Sequence, residues 1–148
     1  MAGMRRGARA VLKYFVPLYV LAVIVQIFLA GEGIFGTHGS PTQEDESGML
    51  DPHRGLGFFL TMPVAALLLI VALLAWLPNK RLRGLTIALP FMLFLQAILG
   101  GAGRWGGAFH PLWAFVLLGT LGYVARELWR AAEEPAVEQA PSPVTTGI

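Results

Sequence analysis

The sequence predicts an all-α fold, a bundle of four transmembrane helices built from two repeated helical hairpins. Three observations predict it. Of 148 residues, 55% are hydrophobic and only 14% are charged, too few charges to cover a water-soluble domain of that size. The charges are placed so that four uncharged runs remain, residues 14–31, 55–79, 84–103 and 105–125. The ends of the first and third runs share a motif, and so do the starts of the second and fourth.

Crossing the hydrocarbon core takes about 20 mostly apolar helical residues, and each run is close to that length or longer. The runs are apolar all round rather than alternating, which selects helices over barrel strands. The length suits one domain. Residues 1–10 read as a basic cytoplasmic N-terminus. Residues 11–130 read as the four-helix transmembrane domain, and residues 131–148 as a disordered cytoplasmic tail rich in Glu and Pro.

Helix one is predicted over residues 11–31. Its apolar stretch exceeds the roughly 7–15 residues of a cleaved signal, so it reads as a retained span. The outer loop 32–52 holds Glu32, Glu44, Asp45, Glu46 and Asp51 among Gly, Ser and Pro and reads as solvated and mobile. Helix two is predicted over 53–77, ended by Pro78-Asn79. Helix three covers 82–101, with Pro90 as a tolerated kink point. A short glycine-rich second outer loop, 102–109, precedes helix four over 110–129, with Pro111 in its first turn.

Basic residues mark the cytoplasmic side. Arg5, Arg6, Arg9, Lys13, Lys80, Arg81, Arg83, Arg126 and Arg130 fall on one side of these spans; only Arg54 and Arg104 fall on the other. Both termini are therefore expected in the cytoplasm of a multi-pass protein of the cell membrane.

The repeat carries the candidate chemistry. Residues 25–33 read Val-Gln-Ile-Phe-Leu-Ala-Gly-Glu-Gly and residues 95–103 read Leu-Gln-Ala-Ile-Leu-Gly-Gly-Ala-Gly. Each is followed by an outer loop and then a histidine, His53 or His110, with a small residue four positions on, Gly57 or Ala114. Two hairpins of the same orientation form a four-helix bundle about an axis along the membrane normal. The two histidines would then face each other near the outer surface.

Two neutral imidazoles facing one another suit the axial positions of a haem. Placement at helix N-termini keeps them neutral. Gly57 and Ala114, one turn on, would leave room for a flat macrocycle. Phe58, Phe59, Phe109, Trp105 and Trp113 would line it, and Arg54 and Arg104 would meet its propionates. A plainer reading stands beside this one. The histidines could be solvated at the interface, the tryptophans could be anchors, Arg54 could snorkel, and the small residues could serve helix packing. Gln26 and Gln96 read as interhelical hydrogen bonders, alternatively as partners of a bound ligand. His38 reads as a solvated loop residue.

On His53-Arg54 opening helix two, Gln96-Ala97-Ile98-Leu99-Gly100-Gly101 in helix three and His110 opening helix four, the chain resembles one four-helix half of the haem A synthase superfamily. It is also similar to small, uncharacterised four-helix membrane proteins of actinobacteria. The resemblance covers about residues 10 to 130. It implies a histidine pair on helices two and four that serves haem. The synthases have eight helices and a glutamate three residues before the helix-two histidine, where this chain has Leu50. Many carry a cysteine pair, and this chain has no cysteine. The resemblance therefore implies haem b binding or electron transfer rather than haem A synthesis.

No phosphate-binding glycine loop, no Ser-His-acid set and no paired carboxylates within the spans point to independent catalysis. The expected partners are the lipid bilayer and a redox partner or membrane complex, with no nucleic acid. The alternative function is a cofactor-free partner or assembly subunit docking through Gly/Ala faces. A transporter subunit is disfavoured, because no charge sits mid-span.

Overall fold

The computed structural model describes residues 1–38, 42 and 48–133. Four helices follow one another: α1 (Ala2–Gly36), α2 (Asp51–Ala75), α3 (Lys80–Gly101) and α4 (Gly103–Glu133). All four are long and apolar enough to cross a membrane, so the chain has the form of a multi-pass membrane protein. The outer-loop acids Glu44, Asp45 and Glu46 and the expected tail from residue 134 onward lie outside the described residues.

The helices overrun the predicted spans. α1 begins at Ala2, so the basic N-terminus is part of a helix, and it ends at Gly36 inside the predicted outer loop. A run of 35 residues rises about 50 Å, well beyond the roughly 30 Å hydrocarbon core. Apolar length marks where a helix meets lipid, not where its hydrogen bonds stop. α4 likewise runs on through Ala131 and Ala132, past the predicted end of the transmembrane domain.

The largest correction concerns residues 102–109. The predicted loop shrinks to Ala102, and α4 starts at Gly103. Gly103 turns the chain at φ 66°, a left-handed value that glycine adopts without strain. Gly106 is buried, and a Cβ there would stand 2.6 Å from the Leu99 carbonyl oxygen. These glycines let the start of α4 lie against the end of α3, instead of loosening the chain.

α2 has three parts: α-helical Asp51–Phe59, a π-helical turn Leu60–Val64 and α-helical Ala65–Ala75. Pro63 lies in the π turn and has no N–H to give the preceding turn, which widens there. The Ala65 N–H and the Tyr19 hydroxyl (2.6 Å) both donate to the Leu60 carbonyl. α2 ends sooner than predicted, at Ala75, with Trp76 in the left-handed region at φ 38°. Arg9 of α1 donates from Nε to the Ala75 carbonyl at 3.0 Å and from Nη2 to that of Trp76 at 3.1 Å, capping carbonyls that a helix end leaves without partners. The Asn79 side chain accepts from the Leu82 N–H at 3.1 Å and caps α3.

The core is a heptad seam. Leu12, Val16, Tyr19 and Val23 of α1, Leu82, Thr86, Leu89 and Leu93 of α3, and Leu117, Leu121, Val124 and Leu128 of α4 are buried at alternating spacings of four, three and four. That spacing keeps one stripe of each helix on the bundle axis. α1 packs beside α2 and α4, and α3 beside the same two, so α2 and α4 lie on a diagonal. The exterior is apolar as well: Leu18, Phe28, Phe91, Phe94 and Phe115 are exposed. Helices apolar on both faces suit a lipid surrounding.

Candidate functional site

Continued one step outward, the seams of α1 and α3 reach Gln26 and Gln96, three residues after Val23 and Leu93. On α4 the same spacing runs back from Leu117 through Ala114 to His110. The heptad pattern alone therefore brings three of the four repeat residues to the bundle axis. His53 joins them from α2. The two imidazoles stand with ring centroids 6.2 Å apart and ring planes at 79°. His53 and His110 thus lie side by side at the bundle axis, the edge of one ring toward the face of the other.

Each histidine is held by the glutamine of its own hairpin. His53 Nδ1 lies 3.0 Å from the Gln26 backbone carbonyl, and His110 Nδ1 lies 2.9 Å from that of Gln96. A carbonyl only accepts, so each Nδ1 carries the proton, and in the neutral ring each Nε2 keeps its lone pair. The glutamine amides then diverge. Gln26 Nε2 donates to the His53 backbone carbonyl at 2.6 Å, whereas Gln96 Nε2 lies 3.2 Å from His110 Nε2. Among the described residues neither amide oxygen, Gln26 Oε1 nor Gln96 Oε1, has a hydrogen-bond partner, and both are buried. Leaving a polar atom in that state costs about 1–3 kcal/mol, and such atoms ordinarily have a partner.

Small residues set the spacing, by another route than expected. The space beside Gly57 is filled by the Gln26 amide: a Cβ on Gly57 would lie 2.7 Å from Gln26 Nε2. A Cβ on Gly100 would lie 3.1 Å from His110 Nδ1. Gly100, near the end of predicted helix three, is thus a seat for the histidine ring. The signal was present, because Gly100 stands four residues after Gln96, one turn along the same face. Ala114 is half-buried.

Several expected site residues lie elsewhere. His110 is the eighth residue of α4, about two turns inside it, so it does not open the helix and draws nothing from the helix N-terminus. Pro111 is likewise internal. His53 does lie in the first turn of α2. Phe58, Phe59, Phe109 and Trp105 are exposed on the outside of the bundle and do not line the histidine pair. Trp113 donates its indole N–H to the Met92 carbonyl at 2.9 Å, stitching α4 to α3. Arg54 is exposed and paired with Asp51 at 3.5 Å, and Arg104 is exposed in the first turn of α4. His38 is exposed.

Among the described residues no group of three or more His, Cys, Asp or Glu could hold a metal ion. The pair offers two nitrogen lone pairs and two orphaned amide oxygens, and nothing anionic.

A family model described as a family of unknown function, DUF6220, matches residues 26–103. The chain belongs to this family. The stretch shared with DUF6220 runs from Gln26 to Gly103 and takes in His53, Gly57, Gln96 and Gly100; His110 follows it. No curated protein and no solved structure matches the chain. Membership carries no activity, and the likeness to haem A synthases rests on the sequence motifs alone.

Proposed function

We propose that this DUF6220 protein is an integral membrane haem-binding protein, with His53 and His110 as axial ligands to haem b. The observation that carries the reading is the imidazole pair, 6.2 Å between centroids, with both Nδ1 atoms tied to repeat carbonyls. Two metal–imidazole bonds of about 2 Å and two ring half-widths of about 1 Å sum to about 6 Å. Two donors are too few for a metal site made of protein alone, and suit a group that brings its own equatorial nitrogens. The donor chemistry of the residues therefore fits the group.

In this reading His53 and His110 would hold the haem through Nε2, the nitrogen that the Nδ1 contacts leave with its lone pair. The Gln26 and Gln96 carbonyls fix the ring tautomers and orientations, as hydrogen-bond partners of metal-bound histidines do. The Gln96 amide, 3.2 Å from His110 Nε2, would have to give up that contact for His110 to serve as a ligand. Bound haem would supply a one-electron couple, which makes electron transfer or haem handling the role. Arg54 and Arg104 are kept as propionate partners only at the exposed rim. The positive-inside pattern supports cytoplasmic termini, a cell-membrane location and a site toward the outer face.

The test is an optical spectrum of protein purified after expression with sufficient haem. A Soret band is expected, lost in both His53→Ala and His110→Ala while helical content stays. A colourless, folded preparation that does not take up added haem would sink the reading and favour the cofactor-free partner. The orientation has its own test in a chain without native cysteine. In intact cells, a membrane-impermeant maleimide should label Glu32→Cys and leave Gly3→Cys unmodified; the reverse pattern would invert the topology.

A further inference from the structure

At the opposite, basic end of the bundle, a cleft of about 410 Å³ opens between α1, the α2–α3 connection and the last turns of α4. Leu77, Leu82 and Leu128 line it and are buried, so its floor is hydrocarbon. Arg9 and Lys13 also line it. Arg9 commits two of its five N–H donors to the Ala75 and Trp76 carbonyls. The Lys13 ammonium rests 4.0 Å from the Trp129 ring centroid. Among the described residues neither cation forms an ion pair; the pairs there are Arg54–Asp51 and Arg130–Glu127. Arg83 stacks on Trp76 and Arg81 on Tyr123, at 4.5 Å and 5.4 Å, which adds positive charge around the same end.

Two half-buried cations with unused donors beside an apolar cleft call for an anion joined to hydrocarbon. A free anion would leave the leucine floor uncovered, and a neutral lipid would leave the cations without a counter-charge. We propose that the cleft binds one anionic phospholipid, its phosphate between Arg9 and Lys13 and an acyl chain along Leu77, Leu82 and Leu128. Basic pockets between transmembrane helices bind lipid phosphates in this way.

The full-length protein, delipidated in detergent, would be titrated with phosphatidylglycerol or with phosphatidylcholine of the same chains. Bound lipid would be counted by native mass spectrometry. One phosphatidylglycerol is expected to bind in preference to phosphatidylcholine. Lys13→Gln should weaken it about fivefold, the worth of one cation near an anionic lipid. Arg9 also caps α2, so the second variant is Ala132→Trp, which fills the cleft from its exposed rim with no change of charge. It should abolish the adduct while leaving the unfolding curve unchanged. Equal retention of the two lipids, or wild-type binding by Ala132→Trp, would overturn the proposal. So would displacement of the lipid by millimolar inorganic phosphate, because the acyl chain would then contribute nothing.

Discussion

The two hairpins make the same bond and finish it differently. In both, a histidine Nδ1 meets the backbone carbonyl of the hairpin's glutamine, at 3.0 Å in the first and 2.9 Å in the second. In the first hairpin the glycine is on the histidine's helix, at Gly57, and Ala30 occupies the position one turn after Gln26. In the second the glycine is on the glutamine's helix, at Gly100, and Ala114 follows His110. Gly57 lets the Gln26 amide sink onto α2 and reach the His53 carbonyl. Gly100 lets the His110 ring sink onto α3, where the Gln96 amide reaches its Nε2. One methyl group, moved from one helix to its neighbour, decides which histidine keeps an uncovered Nε2.

The largest effect should come from the glycines. Gly100→Leu drives a side chain into the His110 ring, and Gly57→Leu drives one into the Gln26 amide. Each should lower stability by about 1–3 kcal/mol, as overpacking does, measured by denaturant unfolding in detergent. Only Gly100→Leu should also shift the His110 ring resonances by NMR. Resonances that stay in place would break the claimed division of labour between the hairpins.

The glutamines sharpen the comparison. Gln26→Leu removes a 2.6 Å bond to a carbonyl and should cost about 1 kcal/mol, the usual scale of interhelical bonds in membranes. Gln96→Leu removes a longer contact, 3.2 Å, and should cost less. It also uncovers His110 Nε2, so under the proposed function added haem should bind it at least as tightly as wild type. A larger stability loss for Gln96→Leu than for Gln26→Leu would reverse the assignment.

The smallest effect belongs to the rim. Arg54 and Asp51 are exposed at 53% and 72%, and solvent weakens such pairs. Arg54→Gln should leave the unfolding midpoint within error of wild type, whereas a clear drop would mean that the first hairpin leans on its rim as the second does not.

How legible all this was depends on the distance over which each residue acts. The four spans follow from charge placement along the chain, and the Gln–His repeat can be read by eye, so the bundle and the histidine pair were both within reach of the sequence. The helix ends were not, because apolar length is blind to helix that continues past the lipid, as at residues 2–10 and 32–36. Residues 102–109 misled because glycines that fit one helix against another look the same in sequence as glycines that loosen a loop. Phe58, Phe59 and Trp105 were placed beside the histidines by nearness along the chain, but a helix turns about 100° per residue and carries them outward. The Arg9 cap joins residues 66 positions apart, a relation with no local mark.

The widened turn of α2 has one more effect. Ala75, Ala72, Leu68 and Ala65 are buried at steps of three, four and three. Continued backward at that rhythm, the stripe would fall on Thr61, Phe58 and Arg54. The residues that turn inward are instead Leu60, Gly57 and His53, each one place earlier. The extra residue taken up beside Pro63 resets the phase, so that the imidazole rather than the guanidinium of its neighbour faces the axis. α4 needs no such reset, since His110 is already in step with Leu117. The chain therefore sets its two histidines opposite each other by a single frameshift in one helix, and Pro63, ten residues from the ring, decides which way His53 looks.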